Sequence, residues 1–130
     1  MNKKDLEEGT AIDIQFEKRG GFVPVIVQEV ENMEILMQGW ANELALQKTI
    51  ELGKATFWST SRDELWTKGL TSGDYLEIVE ILTDCDQDSL IYKVKMVGNG
   101  ACHTKNSKGI TRKSCFYRKI ELDQLSNLDK

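Results

Sequence analysis

Residues 22–40 read FVPVIVQEVENMEILMQGW. The first nine, FVPVIVQEV, are rich in β-branched side chains, which suit a pleated strand. Pro24 lacks a backbone N–H, so it belongs at an edge or near the start of that strand. Polar ENME follows, and then EILMQGW, a second apolar run. The pair predicts a β-hairpin.

Working toward the C-terminus, NELALQKTIELG predicts a helix of about three turns. Asn42 is its N-cap and Gly53 its stop, with Leu44, Ala45 and the stem of Lys48 along one side. ATFWSTS starts as a strand and runs into SRDELWTKGLTSGD, a long polar loop of the kind that often carries function. YLEIVEILT and SLIYKVKMVG are two more strands; in the second, Leu90, Tyr92, Val94 and Met96 alternate with Lys93 and Lys95. GNGACHTKNSKGITRKS is a long polar connection, and CFYRKIEL a last short strand. The first dozen residues and LDQLSNLDK are polar and peripheral, with room for a short helix at either end. The fold class expected is mainly β with one or two helices (α+β), in one domain over residues 1–130.

With 17 basic and 21 acidic residues, the net charge is −4. That argues against broad binding to nucleic acid, which needs a basic surface. It leaves room for a local basic pocket holding a small phosphorylated ligand. No apolar run approaches the ~20 residues of a membrane span. MNKKDLEEGT lacks the apolar stretch of a secretory signal, so a cytoplasmic location is expected.

DCDQD, residues 84–88, joins the two later strands as a turn or as their flared ends. In extended backbone Asp84, Asp86 and Asp88 share a face and Cys85 points the other way. Three converging carboxylates suit a hard cation such as Mg²⁺, or splay into water as an acidic turn. An EF-hand loop is excluded. Its sixth position is Ser89 where glycine is needed, its twelfth is Lys95 where glutamate is needed, and its flanks read as strands.

The only cysteines are Cys85, Cys102 and Cys115, an odd number with no C-x-x-C pair. They are either free thiols, some of them buried, or groups that serve a metal or catalysis. As ligands, three thiolates leave a fourth corner open to water, as in catalytic zinc sites. His103, the only histidine, follows Cys102 and is either the fourth ligand or an acid–base group beside the metal. If Cys85 faces away from the carboxylates, it meets the other two cysteines only across a subunit contact, which makes a homodimer part of the site.

Five blocks in order carry a resemblance: FEKRGGFVPVIVQ, ATFWSTSRDELWTKGLTSG, DCDQDSLIYKV, GACHT and SCFYR. Together they resemble the phosphoribosyl-AMP cyclohydrolases of histidine biosynthesis, over about residues 16–118. The resemblance implies a homodimer with a folded, barrel-like mixed sheet; some relatives carry a fused pyrophosphohydrolase domain, and none is expected in a chain of this length. It implies hydrolysis of the N1–C6 bond of the adenine ring of phosphoribosyl-AMP, the third step of the pathway. It places one zinc per subunit on Cys85, Cys102 and Cys115, drawn from both subunits, and magnesium on Asp84, Asp86 and Asp88. It gives His103 the catalytic role.

For the substrate's phosphates the candidates are Arg19, Gly20 and Gly21, with Arg62, Lys68, Thr71 and Ser72. Trp58 and Trp66 are candidates to stack on the base. The chain departs from the family pattern at Thr67, commonly basic or histidine, and at Leu70, often glutamate. It also reads LMQGWAN where LMLAYMN is frequent. The competing expectations are a zinc-stabilised binding module and a family member without turnover.

Overall fold

The computed structural model describes residues 2–128. In chain order the elements are helix α1 (Lys3–Glu8), a 3₁₀ turn (Phe16–Arg19), strands β1 (Val23–Glu29) and β2 (Ile35–Ala41), and helix α2 (Glu43–Leu52). Strands β3 (Thr56–Ser59), β4 (Glu64–Thr67), β5 (Leu76–Thr83), β6 (Leu90–Met96), β7 (Arg118–Glu121) and β8 (Gln124–Asn127) follow. No helix among the described residues is long and apolar enough to cross a membrane.

The predicted hairpin is the antiparallel pair β1–β2, and β1 also pairs with β6 in parallel. The resulting mixed sheet has the order β2-β1-β6-β5. Pro24 sits one residue into β1, opposite Trp40, and pairing to β6 begins only at Val25. The missing N–H therefore falls where β6 asks for none. Val23, Val25 and Val27 from β1 meet Tyr92 and Val94 from β6 in a core completed by Leu36, Phe57 and Leu76. Gly39 lies under Phe57; a methyl group there would meet the ring at 2.5 Å. That contact accounts for a glycine inside a strand.

The expected class holds: mainly β, a mixed sheet and two helices. The sheets do not form a closed barrel. β2 and β5 end the large sheet as separate edges, and β3–β4 and β7–β8 are two-stranded sheets of their own.

Helix α2 begins and ends as predicted. The Asn42 side chain accepts from the Ala45 N–H at 2.8 Å, and Gly53 takes a left-handed conformation with φ 68°. Its buried face differs: Ala45, Leu46 and Thr49 point inward, while Leu44 is exposed. The buried Thr49 hydroxyl lies 2.9 Å from the carbonyls of Ala45 and Thr56 and accepts from the Thr56 N–H at 3.0 Å. A satisfied polar group thus sets the rotation of the helix.

Two stretches expected as loop or tail are strands. ELWT becomes β4 because Trp66 stands opposite Phe57, with ring centroids 4.9 Å apart. The chain beyond Glu121 turns at Leu122, φ 54°, and returns as β8.

Candidate metal centre

Asp84 to Ser89 connect β5 to β6 as a tight turn, with Gln87 left-handed at φ 54°. Buried Gln87 fixes the turn from below: its side chain accepts from the Asp13 N–H at 2.8 Å and donates to the Leu6 carbonyl at 3.0 Å. Asp84 Oδ1 accepts from the N–H groups of Asp88 and Ser89 at 2.9 and 3.2 Å. The carboxylates of Asp84, Asp86 and Asp88 end within 4.8 Å of one another. Of the two alternatives they converge, through a turn and not through strand alternation.

Their repulsion is offset from the 3₁₀ turn. Lys18 Nζ lies 3.3 Å from Asp86 and 2.8 Å from Asp88, and Arg19 donates to Asp88 at 2.8 Å. Lys18 and then Arg19 hold the Asp88 carboxyl below the usual carboxylate range. Asp86 is pushed up, chiefly by Asp88 beside it. The turn therefore already gathers cations, and its all-oxygen donor set fits a hard divalent ion.

Because Asp88 titrates lower in the folded chain than in the unfolded one, its stabilisation is present above about pH 4 and lost as pH falls through the folded value. Asp88→Asn should lower the urea midpoint at pH 7, and the gap to the parent should close in acid. Equal midpoints at pH 7 would contradict this.

Two of the three thiols, Cys102 and Cys115, come together after β6. The connection after β6 folds back on itself: Ala101 N–H donates to the Lys113 carbonyl at 2.9 Å, Cys102 to Arg112 at 3.2 Å, and Arg112 to Thr104 at 3.0 Å. Cys115 is tied to β2 by its N–H on the Leu36 carbonyl at 2.7 Å. Buried Cys102 and exposed Cys115 are thereby brought near enough for each thiol to act on the other.

Thr104 places its hydroxyl 2.8 Å from Cys102 Sγ and donates its N–H to the same sulfur at 3.4 Å. Arg112 donates to the Thr104 hydroxyl at 3.2 Å. Burial raises the Cys102 thiol, but the bonds from Thr104 and Cys115 outweigh it and leave the group lowered. Partial enclosure of the thiol, and then the charge of Cys102, raise Cys115 to about 11. Two neighbouring sulfurs are the donor type a soft metal ion takes.

Thr104 and Arg112 were not anticipated. The signal available was the C-x-T spacing, which returns Thr104 to the side of Cys102 in extended chain. His103, between them, is exposed. Cys85 is exposed on the acidic turn, and among the described residues no trio of metal-ligating groups includes it with the other two thiols.

Of the proposed substrate contacts, Arg62, Lys68, Thr71 and Ser72 line one cleft of about 640 Å³, with Trp66, Thr67 and Leu70. Gly69 lines it too; it and Gly73 are both left-handed, with the Gly73 N–H on the Gly69 carbonyl at 2.7 Å. Lys68 lies near enough to favour the Cys115 thiolate, so cleft and thiols adjoin. Arg19, Gly20 and Gly21 stand apart. Arg19 is engaged with Asp88, and Gly21 lines a different cleft with Trp58.

Neighbouring thiols, clustered carboxylates and a cation-bearing cleft thus share one small domain. Comparison with known proteins gives the family. The family model of phosphoribosyl-AMP cyclohydrolase matches residues 37–117. The phosphoribosyl-AMP cyclohydrolase of Desulfatibacillum aliphaticivorans is 46% identical over 115 residues, 88% of this chain and 87% of that protein. The enzyme of that name from Hyphomonas neptunium is 51% identical over 106 residues, 82% and 76% of the two chains. The one from Archaeoglobus fulgidus is 46% identical over 114 residues, 88% and 98%. The chain belongs to the phosphoribosyl-AMP cyclohydrolase family. The matched span contains every predicted metal ligand, His103 and the Lys68 cleft; Arg19, Gly20 and Gly21 precede it.

Proposed function

We propose that this chain opens the purine ring of phosphoribosyl-AMP by hydrolysis of the N1–C6 bond, as the third step of histidine biosynthesis in the cytoplasm. The observation that carries the reading is the nearness of Cys102 to Cys115 beside the Lys68 cleft. The thiolates of Cys102 and Cys115, with Cys85 of a second copy, would hold zinc, and the Asp84, Asp86 and Asp88 carboxylates magnesium. Zinc bound there would supply Lewis acidity, lowering the pKa of water near neutrality.

The protein's own groups do the rest. Arg62 and Lys68 attract phosphate, and the Thr71 and Ser72 hydroxyls can donate to its oxygens. Trp66, backed by Phe57, offers a ring face to the purine. His103, free to reach solvent, takes the proton of the attacking water and returns it to N1 as the C6–N1 bond breaks. Thr104 keeps the Cys102 sulfur in place through the reaction.

The test is ultraviolet absorbance during incubation with phosphoribosyl-AMP, with and without a chelator, for the parent chain and His103→Ala. The parent should change the spectrum until chelator is added. His103→Ala should keep its metal and lose about 10²-fold or more in turnover. A parent without turnover, whose fold melts on chelation, would instead make the metal purely structural.

A further inference from the structure

Strand β1 presents every second residue to the core, through Val23, Val25 and Val27. The next position in that row is Glu29, a carboxylate only 8% exposed. A fourth valine would suit the core there, and a buried charge is costly unless it is paired. The proposed reaction makes no use of it. Its partner is Lys113, whose Nζ lies 2.6 Å from Glu29 Oε1 and 3.3 Å from the Glu34 carboxylate. The Glu29 N–H donates to the Glu34 carbonyl at 2.8 Å, so the β1–β2 turn itself brings the two acids together. Among the described residues no hydrogen bond reaches Glu29 Oε1, so the ion pair with Lys113 is what offsets its charge.

Lys113 opens the tripeptide that ends in Cys115. Its carbonyl accepts from the N–H of Ala101, the residue before Cys102, at 2.9 Å. Ser114 Oγ donates to the Ile35 carbonyl at 2.7 Å and accepts from the Phe116 N–H at 2.9 Å. The Cys115 N–H donates to the Leu36 carbonyl at 2.7 Å. The tripeptide is thus fastened at one end to the Cys102 arm and at the other to β2. Two fastenings leave a body free to pivot about the line between them. The Lys113 side chain supplies a third, on the end of β1, and removes that freedom.

We infer that Glu29 is a positioning residue, acting through Lys113 to hold the Cys115 sulfur beside Cys102. The strut works by charge. Glu29→Gln keeps the shape of the side chain and releases the ammonium, whereas Lys113→Arg keeps a cation that both carboxylates can hold. Sulfurs held at a fixed spacing spare a metal ion the entropy of gathering them. The bearing on metal rests on the thiol site proposed above; the positioning of the two sulfurs does not.

The first measurement is made without metal. In a Cys85→Ser background Cys102 and Cys115 are the only thiols, and dibromobimane can bridge them. The ratio of bridged to single-ended adduct, read by mass spectrometry on folded protein, should fall about tenfold in Glu29→Gln. Lys113→Met, altered at a partly exposed side chain, should give the same fall, and serves alone if Glu29→Gln does not fold. The double variant should be no worse than either single one, and Lys113→Arg should keep the parental ratio. In the full chain, Glu29→Gln should weaken cobalt(II) binding about tenfold or more. Bridging within about twofold of the parent in both single variants, additive losses in the double variant, or a loss in Lys113→Arg as large as in Lys113→Met would overturn the inference. So would losses no greater than the fall in folded fraction, read by circular dichroism. A parent that binds no cobalt, yet whose bridging depends on Glu29, would count against the metal site alone.

Discussion

Cys102→Ser should fold, lose its transition metal, and turn over phosphoribosyl-AMP about a thousandfold more slowly than the parent. Folding should survive because the Cys102 position is held by backbone bonds on both sides, Ala101 to Lys113 and Cys102 to Arg112. A serine hydroxyl fills nearly the same buried volume and can still bond Thr104. The change removes a soft, ionisable donor and supplies a hard, neutral one. The Lewis acidity at stake is worth several kcal/mol, which corresponds to about three orders of magnitude in rate. Metal content by mass spectrometry and single-turnover kinetics check both halves. A variant with parental metal content and a rate within tenfold of the parent would show that Cys102 is not a ligand.

A mixture of two dead variants should regain activity. Cys85→Ser and Cys102→Ser each spoil both sites of a homodimer in which the thiols are shared. In a mixed dimer, the Cys85→Ser chain contributes intact Cys102 and Cys115, and the Cys102→Ser chain contributes intact Cys85. One site is whole and the other doubly broken. Random pairing makes about half the dimers mixed, so about a quarter of the parental sites return. Co-refolding the two variants and comparing kcat per active site with each alone gives the result. If every ligand came from one chain, the Cys102→Ser subunits would stay dead and mixing would add nothing. The exposed position of Cys85, apart from the other two thiols, is the reason to expect recovery.

Local signals made much of this legible. The β1–β2 hairpin follows from two apolar runs around ENME, and α2 from Asn42 and Gly53, since caps act within a few residues. The gathering of Asp84, Asp86 and Asp88 was legible as one of two outcomes, since three carboxylates so close in sequence either converge or splay into water. What escaped depends on distant partners. Strand β4 exists because Trp66 finds Phe57 across the sheet, and nothing in ELWT alone announces that. The rotation of α2 is fixed by Thr49 meeting Thr56, not by the most apolar face. Lys18 and Arg19, read respectively as unremarked and as phosphate contacts, reach carboxylates about 70 residues away. The last hairpin turns on Leu122 in a left-handed conformation, which a leucine does not advertise.

The central seam of the large sheet joins segments far apart in time as well as in sequence. Val25 of β1 is in register with Leu90 of β6, sixty-five residues later. During synthesis the first hairpin therefore waits, one edge unpaired, until most of the chain has left the ribosome. Closing so long a loop costs entropy before any contact repays it. The rate-limiting event in assembly should thus be the late arrival of β6, and truncated nascent chains ending before Leu90 should be aggregation-prone.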